Sequence, residues 1–264
     1  MKTRLYHVDA FTSKAFAGNP AAICLLSEPR EDEWMQNVAR EMHLSETAFL
    51  TPSDDGYGLR WFTPTVEVAL CGHATLASAH VLWNHEGHAT DDELHFQTHS
   101  GLLAARKDGD WIELNFPATA ETEVIPPPEL LHGLGADNEY IYVGKNQFDF
   151  IVEVANEETV RNLRPNLREL KEVDARGIVV TSRSAAPYDF ISRFFGPAAG
   201  IDEDPVTGSS HCCLGPYWQQ RLEKDTFLTY QASARGGELR VRVAGERVYL
   251  GGQAVTIVRG ELEV

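Results

Sequence analysis

The chain has 264 residues and a formal net charge of −16, with 23 Lys and Arg against 39 Asp and Glu. This length suffices for one large domain or for two domains of about 130 residues each. The 43% of hydrophobic residues is typical of a soluble globular protein. Nucleic-acid binding requires clustered Lys and Arg, which the sequence lacks, so composition argues against a nucleic-acid partner and against an anionic membrane surface.

Neither a leader nor a disulfide framework is predicted. Met1 is followed by Lys-Thr-Arg and then by a strand-like stretch, and no run of 18 apolar residues occurs. Of the four cysteines, Cys212 and Cys213 are adjacent, which does not suit ordinary disulfide pairing. We therefore expect reduced thiols and a cytoplasmic protein.

The first half of the chain predicts mainly strands. Alternating and β-branched stretches place them near 3–9, 21–27, 46–51, 58–63, 93–98, 101–106 and 110–116. Helices are predicted over 31–42, where apolar residues repeat every four positions, and from Gly72 to about Glu86. The stretch Pro126-Pro127-Pro128 then reads as a connection between domains.

The second half repeats this mixture of strands and helices. Strands are predicted near 139–143, 147–154, 177–182, 187–195, 238–243, 246–251 and 254–259, and helices near 156–172 and 209–222. Because a long alternation of strands and helices is missing, a Rossmann-type parallel sheet is not expected.

Two blocks, one in each half, follow the same order of residue types. Each has a strand ending in Arg-aromatic-Phe, a loop with proline and a carboxylate, a glycine turn, and a helix of small residues. The blocks comprise 60–64, Glu67 and 71–75 in the first half, and 193–197, 203–204 and 207–211 in the second. Such loops can arise by chance in an α+β protein, but agreement in both order and residue type favours an internal duplication.

The glycine turns predict where an anion binds. A glycine followed by small residues at a helix start lets unpaired backbone N–H groups approach a ligand, and the helix dipole favours negative charge there. We expect Gly72-His73 and Gly208-Ser209 to hold a carboxylate between them. The alternative is that these glycines only permit tight turns.

Four stretches resemble one known family, and they occur in the family's order. They are Val8-Asp9-Ala10-Phe11 with Gly18-Asn19-Pro20, Leu44-Ser45-Glu46-Thr47-Ala48-Phe49, the block from Phe62 to Thr75, and Gly200 to Ser209. In these residues the chain resembles the phenazine-biosynthesis isomerase-like (PhzF-like) family, relatives of diaminopimelate epimerase.

The resemblance implies an α+β fold of two similar domains related by a pseudo-two-fold axis. Each domain would be a β-barrel-like sheet wrapped around a central helix, with the site in the cleft between the domains. We expect the domains to span 1–118 and 119–264, with the last strand, 256–264, joining the first domain. The resemblance further implies a cofactor-free isomerase or epimerase of a small anionic metabolite, and a homodimer.

The resemblance also implies the site residues. Glu46 matches the family's general acid/base, and His73, Asp204 and Ser209 match other pocket residues. Independently, Glu46 precedes the apolar run 48–50, so we expect its carboxyl to be partly desolvated. Desolvation raises the pKa of a carboxyl toward neutrality, where the group can both take and return a proton. The alternatives are a surface salt bridge for Glu46, helix capping for His73 and Ser209, and a local turn for Asp204.

Three rival functions are also considered. Racemases related to diaminopimelate epimerase use paired thiols, one in each half. Cys71 occupies that place in the first half, but its counterpart is Thr207, so we expect Cys71 to be a small buried residue. A metal site lacks Cys-x2-Cys or His-x3-His spacing, and nucleotide loops are missing, so neither metal nor cofactor is expected. A small-molecule binding or regulatory protein without turnover remains open.

Overall fold

The computed structural model describes residues 3–136 and 139–264. Strands dominate the described residues, and most of the 18 are joined in antiparallel pairs. The strands are β1 (Thr3–Ala10), β2 (Asn19–Leu25), β3 (Glu46–Ser53), β4 (Gly56–Phe62), β5 (Glu67–Val68), β6 (Leu94–Thr98), β7 (Gly101–Asp108), β8 (Trp111–Pro117), β9 (Thr122–Glu123), β10 (Tyr140–Lys145), β11 (Asp149–Val154), β12 (Gly177–Arg183), β13 (Phe190–Gly196), β14 (Ile201–Asp204), β15 (Thr226–Gln231), β16 (Gly237–Ala244), β17 (Arg247–Gly252) and β18 (Ala254–Leu262).

Six α-helices lie between these strands within the described residues. They are α1 (Asp32–Met42), α2 (Gly72–His85), α3 (Pro128–Leu134), α4 (Glu157–Asn162), α5 (Leu167–Leu170) and α6 (Gly208–Leu222). None of the helices in the described part of the chain is both long and apolar enough to span a membrane.

The chain divides into two compact units. The first contains the described residues up to Phe116 together with Leu250–Val264, and the second contains Pro117–Tyr249 without its two undescribed residues. The break after Phe116 lies two residues before the boundary expected from the sequence. The C-terminal segment that belongs to the first unit is longer than expected, since it begins at Leu250 rather than at 256.

Unit 1 is a sheet wrapped around α2. β1 pairs antiparallel with β2 and β18, β2 runs parallel to β3, and β3 pairs antiparallel with β4. β4 is antiparallel to β5 and parallel to β6, which pairs antiparallel with β7. Ten of the 14 residues of α2 are buried. A helix covered on nearly all sides belongs to the core, and its alanine-rich sequence lets the surrounding strands approach closely.

Unit 2 repeats this pairing pattern strand for strand. β10 and β11 are antiparallel, β11 and β12 parallel, and β12 and β13 antiparallel. β13 is antiparallel to β14 and parallel to β15, which is antiparallel to β16. The central helix here is α6, with nine of 15 residues buried. The pattern matches the duplication expected from the sequence.

The duplicated blocks also agree in their side-chain contacts. In unit 1, Arg60 donates two hydrogen bonds of 2.7 Å to the carboxylate of Glu67. In unit 2, Arg193 donates two hydrogen bonds, of 2.7 and 2.9 Å, to Glu203. Such two-pronged pairs fix the loop that follows each strand, because the planar guanidinium matches a carboxylate at both oxygens.

Strand register fixes which residues of the two units correspond. Thr47 of β3 lies opposite Phe62 of β4, and Ile178 of β12 lies opposite Phe195 of β13. Since Phe62 and Phe195 end the same Arg-aromatic-Phe motif, Thr47 corresponds to Ile178. Residues that precede these two correspond in the same way.

Several sequence-based element assignments are wrong. The Pro126–Pro128 stretch is not only a connection, because Pro128 begins α3, whose Leu130, Leu131 and Leu134 are buried. Proline is compatible with the first turn of a helix, where a backbone N–H would have no partner within the helix. The single helix expected over 156–172 is two short helices, since Pro165 cannot continue α4. The short strands β9 and β14, together with β15, were not expected.

Candidate active site

Glu46 and His73 meet at the start of the central helix of unit 1. Glu46 is the first residue of β3, whose next four residues are buried. Its Oε2 lies 3.1 Å from Nε2 of His73, and the two side chains are 13% and 7% exposed. These two buried atoms are close but poorly aligned for a hydrogen bond, so each keeps bonding capacity for a ligand. The geometry favours a buried pair over a surface salt bridge.

The imidazole of His73 has a different neighbour on each nitrogen. Nε2 faces Glu46, while Nδ1 lies 3.5 Å from the sulfur of Cys71. Burial acts to lower the pKa of His73, but the neighbouring Cys71 and Glu46 outweigh it and raise that pKa well above its usual value. Burial, assisted by the Glu46 carboxylate, raises the pKa of Cys71. The arrangement therefore favours an imidazolium beside the Glu46 carboxylate.

The two central helices begin in the same way. Cys71 and Thr207 are the N-cap residues, both have extended backbone, and neither caps its helix with a side-chain hydrogen bond. In each helix the side chain of the fourth residue donates a hydrogen bond to the backbone carbonyl of the N-cap residue. Thr75 Oγ1 donates to the Cys71 carbonyl at 2.6 Å, and His211 Nδ1 donates to the Thr207 carbonyl at 2.8 Å. No acidic residue lies in either first turn. Both helix starts therefore keep the positive end of the dipole available to an anion; Gly72 and Gly208 are their first residues.

Asp204 lies in a polar network at the start of α6. Its Oδ2 accepts a hydrogen bond of 2.5 Å from Thr207 Oγ1. Gln231, which is fully buried, donates to the Asp204 carbonyl at 2.8 Å and accepts from the Thr207 N–H at 2.9 Å. Asp204 thus stabilises the turn before α6, in agreement with the alternative of a local turn role. Its half-buried carboxylate lies near the helix start. Sequence reasoning missed Gln231.

Ser209 has an arginine as its partner. Its Oγ accepts a hydrogen bond of 3.0 Å from Arg176 Nη2. Arg176 also donates two hydrogen bonds, of 2.9 and 2.5 Å, to Asp149, which is 1% exposed. Sequence reasoning missed both Arg176 and Asp149. The only available signal was the duplication, which places Arg176 one position before the counterpart of Glu46.

Comparison with known proteins decides the family. The family model described as phenazine biosynthesis-like protein matches residues 8–260. The chain belongs to the phenazine biosynthesis-like protein family. An uncharacterized isomerase of Halalkalibacterium halodurans is 56% identical to it over 264 residues, covering 99% of each chain. At the level of the family, the expected isomerase class is confirmed.

Solved structures of the phenazine biosynthesis-like family confirm the fold class. A phenazine biosynthesis protein of the PhzF family from Enterococcus faecalis has a TM-score of 0.95 and 41% identity, covering 100% of both chains. A hydroxyproline epimerase from Agrobacterium vitis has a TM-score of 0.64 and 12% identity, covering 99% of this chain and 92% of the epimerase. This second likeness concerns the fold alone. The chain therefore has the diaminopimelate epimerase-like fold expected from the sequence.

In this member of the phenazine biosynthesis-like family, three possible metal ligands lie close together. One donor atom from each of Glu46, Cys71 and His73 lies within 4.8 Å of the others. The imidazole ring, however, stands between the carboxylate and the thiol, with one nitrogen toward each. A single imidazole nitrogen therefore does not face both the carboxylate and the sulfur, as ligation of one ion by all three residues would require. This arrangement suits proton transfer along the ring better than metal binding.

Proposed function

We propose that the protein is a cofactor-independent isomerase or epimerase that moves a proton on a small carboxylate-bearing metabolite. The observation that carries this proposal is the Glu46 carboxylate, 3.1 Å from the nearly buried imidazole of His73 at an uncapped helix start. A carboxylate of this kind can remove and return a proton in a partly water-free setting. Membership of a family with named isomerases supports the same reaction class.

In this proposal the substrate carboxylate binds at the two helix starts. Gly72 and His73 supply backbone N–H groups from α2, and Gly208 and Ser209 supply them from α6. Oriented N–H groups stabilise the negative charge that develops on a carboxylate when the adjacent carbon loses its proton. We propose that Asp204 also contacts the substrate.

Glu46 performs the proton transfer. Its Oε1 has no hydrogen-bond partner among the described residues and is the oxygen that we assign to the substrate. The C–H bond breaks, the proton goes to Oε1, and the electron pair moves into the π system of the substrate. The Glu46 carboxyl proton exchanges with solvent, and Glu46 then protonates another carbon of that π system, so that the double bond shifts, no electron leaves the substrate and no redox partner is needed. The positive charge of the His73 imidazolium, 3.1 Å from Oε2, stabilises the carboxylate form of Glu46.

A mechanism with two thiols finds less support. Cys71 and Thr207 are equivalent N-cap residues, and the hydroxyl of Thr207 cannot act as a thiolate. The raised pKa of Cys71 also opposes thiolate formation in the first half. A single base in unit 1 therefore accounts better for the reaction than a thiol pair.

Solvent exchange distinguishes an isomerase from a binding protein without turnover. The purified protein is incubated in deuterated water with a panel of small carboxylic acids, and each acid is examined by mass spectrometry and NMR. An isomerase should add one deuterium to a carbon-bound position of its substrate, or form an isomer of it. A protein that binds a member of the panel but leaves every C–H bond unexchanged would be a binding or regulatory protein instead.

A further inference from the structure

Unit 2 holds a guanidinium in a fixed position beside the start of α6. Nε and Nη2 of Arg176 donate to the two oxygens of Asp149 at 2.9 and 2.5 Å. The Asp149 side chain is 1% exposed, whereas that of Arg176 is 39% exposed. A buried carboxylate is strongly destabilising without a partner, so this pair constrains Arg176 tightly. One edge of the guanidinium faces the buried carboxylate, and the rest reaches solvent.

Two aromatic rings restrict the guanidinium further. Its central carbon lies 5.1 Å from the ring centre of Phe148 and 5.7 Å from that of Phe194. The Phe194 ring occupies this place because residue 177 is glycine: a Cβ on Gly177 would lie 2.1 Å from Cζ of Phe194. Cation–π contacts on a side chain already held by a carboxylate preorganise its remaining donors.

Arg176 contacts the start of α6 and also lines a cavity. Nη2 donates to Ser209 Oγ at 3.0 Å, and Nη1 has no hydrogen-bond partner among the described residues. Arg176 also lines a cavity of about 590 Å³ together with Lys145 and Lys171, and the acidic residues Glu172 and Asp174 line it as well. This volume lies within the range typical of small-molecule sites.

The duplication relates Arg176 to the catalytic region of unit 1. Since Thr47 corresponds to Ile178, Glu46 corresponds to Gly177 and Ser45 corresponds to Arg176. Each of these two preceding residues contacts the first strand of its parallel pair: Ser45 Oγ donates to Asn19 at 3.2 Å, as Arg176 donates to Asp149. In unit 1 the Glu46 carboxylate thus lies beside the start of the central helix. In unit 2 the cation of Arg176 lies beside the start of α6, one position before the counterpart of Glu46.

We propose that Arg176 is a specificity-determining residue that binds a carboxylate of the ligand next to Ser209. The N–H groups of Nη1, on a guanidinium that is held in place, can donate to a carboxylate and match its charge. The favoured class of ligand for this site in unit 2 is therefore a small carboxylic acid. The identity of this ligand as the substrate rests on the proposed function, whereas the anion site itself does not.

Succinate serves as the probe for this site in the full-length protein. NMR titration follows the backbone amide of Ser209 and the Nε resonance of Arg176. We expect saturable shifts at both positions with succinate and none with neutral succinamide. Arg176→Gln should weaken succinate binding by roughly tenfold to a hundredfold, the range for one lost hydrogen bond to a charged group. Arg183→Gln, which removes an exposed arginine at the end of β12, should leave binding unchanged.

Arg176→Gln leaves the buried Asp149 without its partner and can unfold the protein. Two further variants keep the test valid: Asp149→Asn with Arg176→Gln removes both charges, and Arg176→Lys keeps a cation without the planar fork. Both should bind succinate more weakly than the wild type. Binding of wild-type strength in either folded variant, or equal shifts with succinamide, would overturn the proposal. Failure of solvent exchange would sink the proposed function while leaving the Arg176 titration intact, so the two can fail separately.

Discussion

His211 should make the folded protein sensitive to mild acid. It is fully buried in the first turn of α6, where its Nδ1 donates to the Thr207 carbonyl at 2.8 Å and its ring stacks on Phe190. Burial lowers the pKa of His211 from 6.5 to about 4, although the hydrogen bond to Thr207 acts in the opposite direction. The folded state therefore keeps a neutral imidazole at pH values where the unfolded chain binds a proton.

The sign and size of the effect follow from this difference in pKa. The stability that the neutral His211 contributes is complete above pH 6.5 and is lost as the pH falls from 6.5 to about 4. A pKa lowered by this much corresponds to a total loss on the order of 3 kcal/mol. At a pH of about 5.5, the loss relative to neutral pH should be about 1 kcal/mol.

Urea unfolding of the wild type and of His211→Asn at neutral pH and at a pH of about 5.5 measures this effect. Asn keeps a donor for the Thr207 carbonyl but cannot be charged, and the cavity it leaves lowers stability equally at both pH values. The variant should therefore lose about 1 kcal/mol less than the wild type between the two pH values. Ser210→Ala removes the other side-chain hydrogen bond to the same carbonyl without a titrating group, so it should lose as much as the wild type. The reasoning fails if His211→Asn and the wild type lose equal stability on acidification.

Three further predictions address packing, charge and cofactors. Gly177→Ala should lower the free energy of unfolding by about 1–3 kcal/mol, because the new Cβ overlaps the Phe194 ring; unchanged urea unfolding would contradict this. The stability that His73 contributes through its raised pKa should be complete below pH 6.5 and should disappear as the pH rises through that raised value. The difference in the free energy of unfolding between the wild type and His73→Gln should therefore become smaller, not larger, in alkaline solution. Purified protein should carry no stoichiometric metal, flavin or nicotinamide, and elemental analysis that finds one transition metal per chain at Glu46, Cys71 and His73 would refute this.

The sequence predicted the parts of the fold that repeat. The Arg-aromatic-Phe strands and the glycine helix starts have fixed offsets along the chain, and both blocks form the same strand, ion pair and helix in each unit. Short elements could not be predicted in this way. β14 is only four residues long, and α3 begins at Pro128 within a stretch whose three prolines read as a connection. Periodicity needs longer stretches than these to distinguish strand, helix and loop.

Those residues of the candidate site that belong to a recognisable sequence motif could be predicted. Glu46 and His73 stood in two such motifs, and the structure brings them within 3.1 Å. Arg176 and Asp149 are 27 positions apart and stand in no motif, so their pairing depends on the parallel contact of β11 and β12. Such contacts are set by tertiary structure, and charge patterns along the chain do not reveal them.

The central claim is that Glu46, rather than Cys71, moves the proton. With the native substrate in deuterated water, the wild type should place one deuterium at the carbon that Glu46 serves. Glu46→Gln keeps the size of the side chain and should slow this exchange by ~10²–10⁴-fold, as expected for the loss of a general acid/base. Cys71→Ala should slow it far less, since it removes only a buried sulfur beside His73. An active Glu46→Gln protein together with an inactive Cys71→Ala protein would contradict the account and establish a thiol-based enzyme instead.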